Sequence, residues 1–146
     1  MADRILVTGA NGFVGSALCR RLRKSGVSVR GAVRAPAKLL PSETPISGGL
    51  EWVALHDRST EDETIHALQG VQVVVHLAAR VHVMTDQASD PLQEFRRVNV
   101  GWTDQLARSA ALQGVRRFVY LSSIKVNGEQ TVVPFTEQDP PKPQDP

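Results

Sequence analysis

Three glycines, Gly9, Gly12 and Gly15, stand three residues apart behind Thr8, with Ala10, Asn11, Phe13 and Val14 between them. Residue types of this kind bring backbone N–H groups to an anion. Gly9 lets the chain turn sharply. Gly12 has no Cβ, so a diphosphate can reach the main chain. Gly15 lets a following helix pack close to a preceding strand. Ile5-Leu6-Val7 in front reads as that strand, and Val14, Leu18 and Leu22 behind fall at helical spacing. The N-terminus of the helix then offers free N–H groups and a partial positive charge to phosphates. The strand before and the helix after are what turn G-x-x-G-x-x-G into a dinucleotide signal. The competing reading is a structural glycine turn in another α/β protein.

Other residues could complete such a site. Val33 closes a second apolar run from Val27 and is followed by Arg34, with Lys38 nearby and no carboxylate. An acid about 20 residues beyond the glycines would hold the 2′-hydroxyl of NAD, whereas a guanidinium suits the 2′-phosphate of NADP. NADP is slightly favoured and NAD stays open, because Arg34 could also stack on adenine or face solvent. Asp57 follows a third short run, Glu51 to Leu55; by itself it reads equally well as the cap of a helix from Ser59 to Leu68. His76-Leu77-Ala78-Ala79 closes a run from Val71 that fits a strand buried on both faces of a parallel sheet. Its small residues let backbone lie against a ligand. His76 reads as a packed or hydrogen-bonded histidine and no metal is expected, since His82 is the only nearby partner and no acid completes a set. Ser122 and Ser123 follow a fifth run, Arg117 to Leu121. A serine at the carboxyl end of a parallel strand can bond a carbonyl or hydroxyl at a reacting carbon; taken alone the two would pass for turn serines.

Strands and helices alternate along the chain, which predicts an α/β, Rossmann-type doubly wound parallel sheet with strand order 3-2-1-4-5. Gly26 and Gly70 stop the first two helices. A long helix opens at Asp90-Pro91, buries Phe95, Val98, Leu106 and Ala110, carries Asn99 mid-way, and ends at Gly114. Residues 35–49 and 80–90 read as loops, and Pro134, Pro140, Pro141, Pro143 and Pro146 mark 134–146 as an extended tail. Residues 1–133 are therefore the expected domain. The 146 residues are one domain's worth, 41% hydrophobic and 22% charged, as in ordinary globular proteins. A net charge of +2 gives no argument for nucleic acid or a membrane surface. Cys19 alone forms no internal disulfide and reads as a small core residue. With no secretory leader and no apolar run of spanning length, a cytoplasmic setting is the default expectation.

Thr8-Gly9-Ala10-Asn11-Gly12-Phe13-Val14-Gly15, with His76-Leu77-Ala78-Ala79 and Val98-Asn99-Val100, resembles the extended short-chain dehydrogenase/reductase family. The resemblance implies a nucleotide-sugar epimerase, dehydratase or 4-ketoreductase that passes hydride between a sugar carbon and bound NAD(P). It implies that Asp57 contacts adenine, that residues 80–90 line the nicotinamide and sugar, and that the Asn99 side chain bonds backbone and helps position the site. Ser123 matches the catalytic serine and Lys125 a substrate-contacting position, while Asn127 replaces a usual tyrosine. The run Ser122 to Gly128 looks closer to bacterial enzymes acting at C4 of UDP-linked amino or deoxy sugars than to galactose epimerases. Helix 90–113 resembles the one that family homodimers use. A Tyr-x-x-x-Lys helix is expected just past Pro146, so the chain reads as an N-terminal fragment, truncated after the fifth strand, with an unpaired sheet edge and negligible turnover alone. The rival from another class is a non-catalytic NAD(P)H-sensing regulator; a flavin-type mononucleotide protein is disfavoured by the three-glycine turn.

Overall fold

The computed structural model describes residues 3–35, 50–81 and 88–144. Lys38, His82 and most of the 35–49 loop lie outside them. Five strands form one parallel sheet: β1 (Arg4–Thr8), β2 (Ser28–Val33), β3 (Leu50–Ala54), β4 (Val73–His76) and β5 (Arg117–Tyr120), in the order β3-β2-β1-β4-β5. Register places Thr8 at the end of β1 beside Ala32 of β2 and His76 of β4, and His76 beside Tyr120 of β5. The carboxyl ends of the strands thus line up along one edge, where ligands of doubly wound sheets bind.

Helices cover both faces. On one, α1 (Phe13–Lys24) packs Cys19, Leu18 and Leu22 against Val7, Val29 and Val33. On the other, α2 (Glu61–Leu68) and α4 (Thr103–Leu112) close over Leu6, Val74, Leu68 and Leu106. Two expectations shift here. Val14 is half exposed at the open start of α1 instead of joining that core. β4 is shorter than 71–77, and only Val74 and His76 are fully buried; Val73 and Val75 face the side where α1 lies over β1 and β2, and stay partly covered.

The start of α2 is set by a capping box. Thr60 Oγ1 accepts from the Glu63 N–H at 3.2 Å, and Glu63 Oε2 accepts from the Thr60 N–H at 2.8 Å. Such a box satisfies two otherwise orphaned donors. The helix therefore begins at Glu61, not Ser59, and Asp57 is not its cap. At its other end stands Arg30 of β2, only 6% exposed, donating to the carbonyls of Ala67 at 2.7 Å and Gln69 at 2.9 Å and to Glu51 at 3.0 Å.

The long helix is not regular. α3 (Pro91–Phe95), capped by Asp90, runs into a π-helical stretch, Arg96–Trp102, before α4 resumes the ordinary winding. The i→i+5 stretch is a local widening inside the helix, and Glu94, Arg97, Val98 and Trp102 keep the i, i+3, i+4, i+8 spacing of one helical face. Phe95 and Val98 are half buried, while Leu106 and Ala110 are fully so.

Candidate functional site

A cleft of about 1070 Å³ opens at the carboxyl ends of the strands. Its floor is the glycine turn. Gly9 has φ +65°, the left-handed region, and a Cβ there would sit 3.1 Å from the Ala78 nitrogen. The Gly12 N–H closes the turn on the Gly9 carbonyl at 2.9 Å. A Cβ on Gly15 would lie 2.1 Å from that same carbonyl oxygen, so α1 can rest on the turn only because Gly15 has none. Gly12 is the N-cap of α1, no side chain caps the helix, and no acidic residue stands in its first turn. The first-turn N–H groups are left for an external anion. This is the observation that fits a dinucleotide diphosphate to the residues present.

Behind the turn is a buried hydrogen-bond chain. Thr8 Oγ1 accepts from the N–H groups of Leu77 and Ala78, each at 3.1 Å. Both lone pairs are then used, so its O–H donates to His76 Nδ1 at 2.7 Å. His76 is therefore the tautomer with hydrogen on Nε2, which donates to Thr103 Oγ1 at 3.0 Å. Burial pushes its pKa down to about 4, and the ring stays neutral. Trp102 meets it edge-on, with centroids 5.0 Å apart, and Tyr120 stacks at 5.9 Å. His76 is thus a packed, hydrogen-bonded histidine that ties β1, the 77–79 backbone and α4 together.

One arm of the cleft passes Arg34 and Leu55 to Asp57. Arg34 is exposed there. The Asp57 carboxylate accepts from Arg97 Nη1 at 2.5 Å, and Arg97 also grips Glu94 through Nη2 at 2.8 Å and Nε at 3.2 Å. Burial raises the Asp57 pKa, but the hydrogen bond and charge of Arg97 outweigh it and hold the carboxyl below its usual range. The hydrogen bond from Arg97 likewise lowers Glu94, and the two carboxylates raise Arg97. The other arm runs along Leu77, Ala78 and Ala79 to Arg80. There the Asn99 side chain brackets the Arg80 backbone, accepting from its N–H at 2.7 Å and donating to its carbonyl at 3.0 Å.

Of the residues singled out in the sequence, Gly9, Asn11, Gly12, Arg34, Asp57, Leu77, Ala78 and Ala79 line the cleft. Gly15 is buried beneath it; Phe13 and Val14 start α1 on the open side, Phe13 95% exposed. Asn99 acts on the wall through Arg80. Ser123 stands apart from the lining, exposed, its Oγ accepting from the Lys125 N–H at 3.3 Å to cap a short 3₁₀ turn, Ile124–Val126. Asn127 ties the proline-rich segment back, donating to the Asp139 carbonyl at 3.0 Å. Arg97, Glu94 and Trp102 are cleft residues that the sequence did not single out. A charged pair on a helix has many surface uses, and nothing in its spacing pointed to Asp57, 40 residues earlier.

Residues 5–146 match the model of the NAD dependent epimerase/dehydratase family. The chain belongs to that family. It is 43% identical to a UDP-glucose 4-epimerase of Vibrio cholerae over 148 residues, covering 99% of this chain and 43% of the relative. A 3 beta-hydroxysteroid dehydrogenase/Delta 5→4-isomerase of Mycobacterium tuberculosis is 34% identical over 147 residues, covering 92% of this chain and 37% of the relative. Among solved structures, MoeE5 in complex with UDP-glucuronic acid and NAD superposes with TM-score 0.79 at 33% identity, covering 97% of this chain and 44% of that one. The chain spans less than half the length of the relatives it matches. The family is described as NAD dependent, and the relatives named here are an epimerase and a dehydrogenase/isomerase. Among the described residues, no helix is long and apolar enough to cross a membrane.

Proposed function

We propose that this chain supplies the NAD(P) site of a nucleotide-sugar epimerase, dehydratase or 4-ketoreductase. The reading is carried by the uncapped N-terminus of α1, held against the Gly9 turn by the missing Cβ of Gly15 and facing the cleft. The 43% identity to a UDP-glucose 4-epimerase favours a sugar nucleotide over the steroid of the more distant relative. The bound nicotinamide supplies the hydride acceptor for a sugar carbon. The chain's own residues bind and orient it. The Gly9–Gly15 backbone and the first turn of α1 take the diphosphate. Asp57 accepts a hydrogen bond from the adenine. Leu77, Ala78 and Ala79 present backbone to the nicotinamide half, steadied by Thr8, His76 and Asn99. Arg34 takes the 2′-phosphate of NADP, the slightly favoured cofactor.

Ser123, past the end of β5, polarises the sugar oxygen in this reading. No Tyr-x-x-x-Lys occurs within residues 1–146, and Tyr120, the one tyrosine, stacks on His76 in β5. The residues of this chain therefore bind the cofactor and polarise the oxygen, and none of them transfers the proton. It includes a homodimer through the helix of residues 91–112, on which Leu92, Val100 and Leu112 are exposed, and a cytoplasmic setting. Calorimetric titration of the chain with NADPH and NADH tests the cofactor site. Tighter NADPH binding, lost in Arg34→Asp, supports the 2′-phosphate role. Equal or tighter NADH binding keeps the dinucleotide site and removes that role; no binding of either overturns the reading.

A further inference from the structure

We infer that Arg97 is the positioning residue for the purine end of the site: it fixes the orientation in which the Asp57 carboxylate reads an exocyclic amino group. The inference rests on the dinucleotide reading above and adds to it a residue outside the glycine turn. Arg97 and Asp57 belong to different elements, the π-helical stretch and the loop after β3. Their contact spans 40 residues of chain and closes one arm of the cleft. Both arginine contacts to Asp57 fall on Oδ2, from Arg97 at 2.5 Å and from Arg58 at 3.9 Å.

The guanidinium is itself immobilised. Glu94, three residues earlier, grips its Nε and Nη2 with both carboxylate oxygens. A fork held on one side by two bonds presents its remaining Nη1 in one direction. A surface ion pair added for stability would contribute little. Here the Asp57 side chain is 19% exposed, and Arg97, Glu94 and Asp57 all belong to the cleft wall, with Leu55 beside them. An ionised carboxylate accepts hydrogen bonds and donates none. Held in this way, Asp57 selects a purine with an amino group at its six-membered-ring edge over one with a carbonyl there. Arg97 touches no ligand in this account and acts through Asp57.

The test compares NADH with its reduced hypoxanthine analogue, in which a carbonyl replaces the adenine amino group, by calorimetry on the 146-residue chain. The wild type is expected to prefer NADH by about tenfold, the range of one hydrogen bond to a charged group. Arg97→Gln is expected to lose most of that preference by weakening NADH alone, leaving the analogue's affinity within about twofold. Arg97→Lys, which keeps the charge but not the fork, is expected to fall between them and serves if the glutamine variant folds poorly. A merely structural arginine would weaken both dinucleotides equally and leave the ratio unchanged; that result overturns the inference. A wild type that binds both equally removes the Asp57 contact and the inference with it. A wild type that binds neither overturns the dinucleotide reading itself.

Discussion

Gly15→Ala probes the closest approach in the site. The added Cβ would lie 2.1 Å from the Gly9 carbonyl oxygen and 2.8 Å from Ala10 Cα, where real contacts stay above about 3.0 Å. Both neighbours are backbone, so no side chain can swing away. The turn and α1 must part by about 0.9 Å. Overpacking of this kind costs about 1–3 kcal/mol of stability. The same shift carries the first-turn N–H groups away from the turn they share with the diphosphate. A hydrogen bond to a charged group contributes about 1.5–3 kcal/mol, so losing one weakens binding by about tenfold or more. Gly26→Ala is the matched control. Gly26 has φ +76° with nothing within 4 Å of an added Cβ, so its cost of about 1–2 kcal/mol comes from the left-handed backbone alone. Urea melts and NADH calorimetry on both variants are the assay. Comparable losses of stability are expected, with NADH affinity lost only in Gly15→Ala. If Gly15→Ala binds NADH as the wild type does, close packing of α1 on the turn does not build the site and the reasoning fails.

His76 sets a pH dependence. Its folded pKa of about 4 lies below the ordinary 6.5, so on acidification the unfolded chain takes up a proton before the folded one does. Stability is complete above pH 6.5 and falls by roughly 1.4 kcal/mol per pH unit from there toward pH 4, about 3 kcal/mol in all. Urea melts at a series of pH values should show this slope in the wild type and not in His76→Gln; equal slopes would contradict it. Asn99→Ala leaves the Arg80 N–H and carbonyl without their side-chain partner, at a cost of about 1–3 kcal/mol. Faster amide exchange at Arg80 and weaker NADH binding are expected, and unchanged exchange would show that Asn99 does not hold that backbone.

The sheet was legible because each strand carried its own signal: apolar runs, glycine stops and short connections leave few ways to order five parallel strands. The glycine turn was legible for the same reason, since its chemistry and its geometry reside in consecutive residues. Val14 shows where periodicity misleads. It has the spacing of a core residue, yet it lies in the first turn of α1, ahead of the part that Val7, Val29 and Val33 cover. Asp57 shows the opposite failure. Its competing use as a helix cap looked equal in sequence, until Thr60 and Glu63 took that role and left the carboxylate to Arg97. The π-helical stretch left no mark in the sequence pattern, because the cleft residues Glu94, Arg97, Val98 and Trp102 keep the spacing of an ordinary helical face. Arg30 was silent for a related reason: a buried arginine in a strand is explained only by the carbonyls of Ala67 and Gln69, which tertiary packing brings to it.

The central claim is the position of the dinucleotide, and amide-resolved NMR titration of the chain with NADH tests it most directly. With the dinucleotide in this cleft, the amides of Gly9 to Gly15, Asp57 and Leu77 to Ala79 shift together. Amides at the opposite edge of the sheet, those of Arg4, Ser28 and Gln72, should stay in place. Shifts centred on that opposite edge, or spread evenly over the surface, would contradict it.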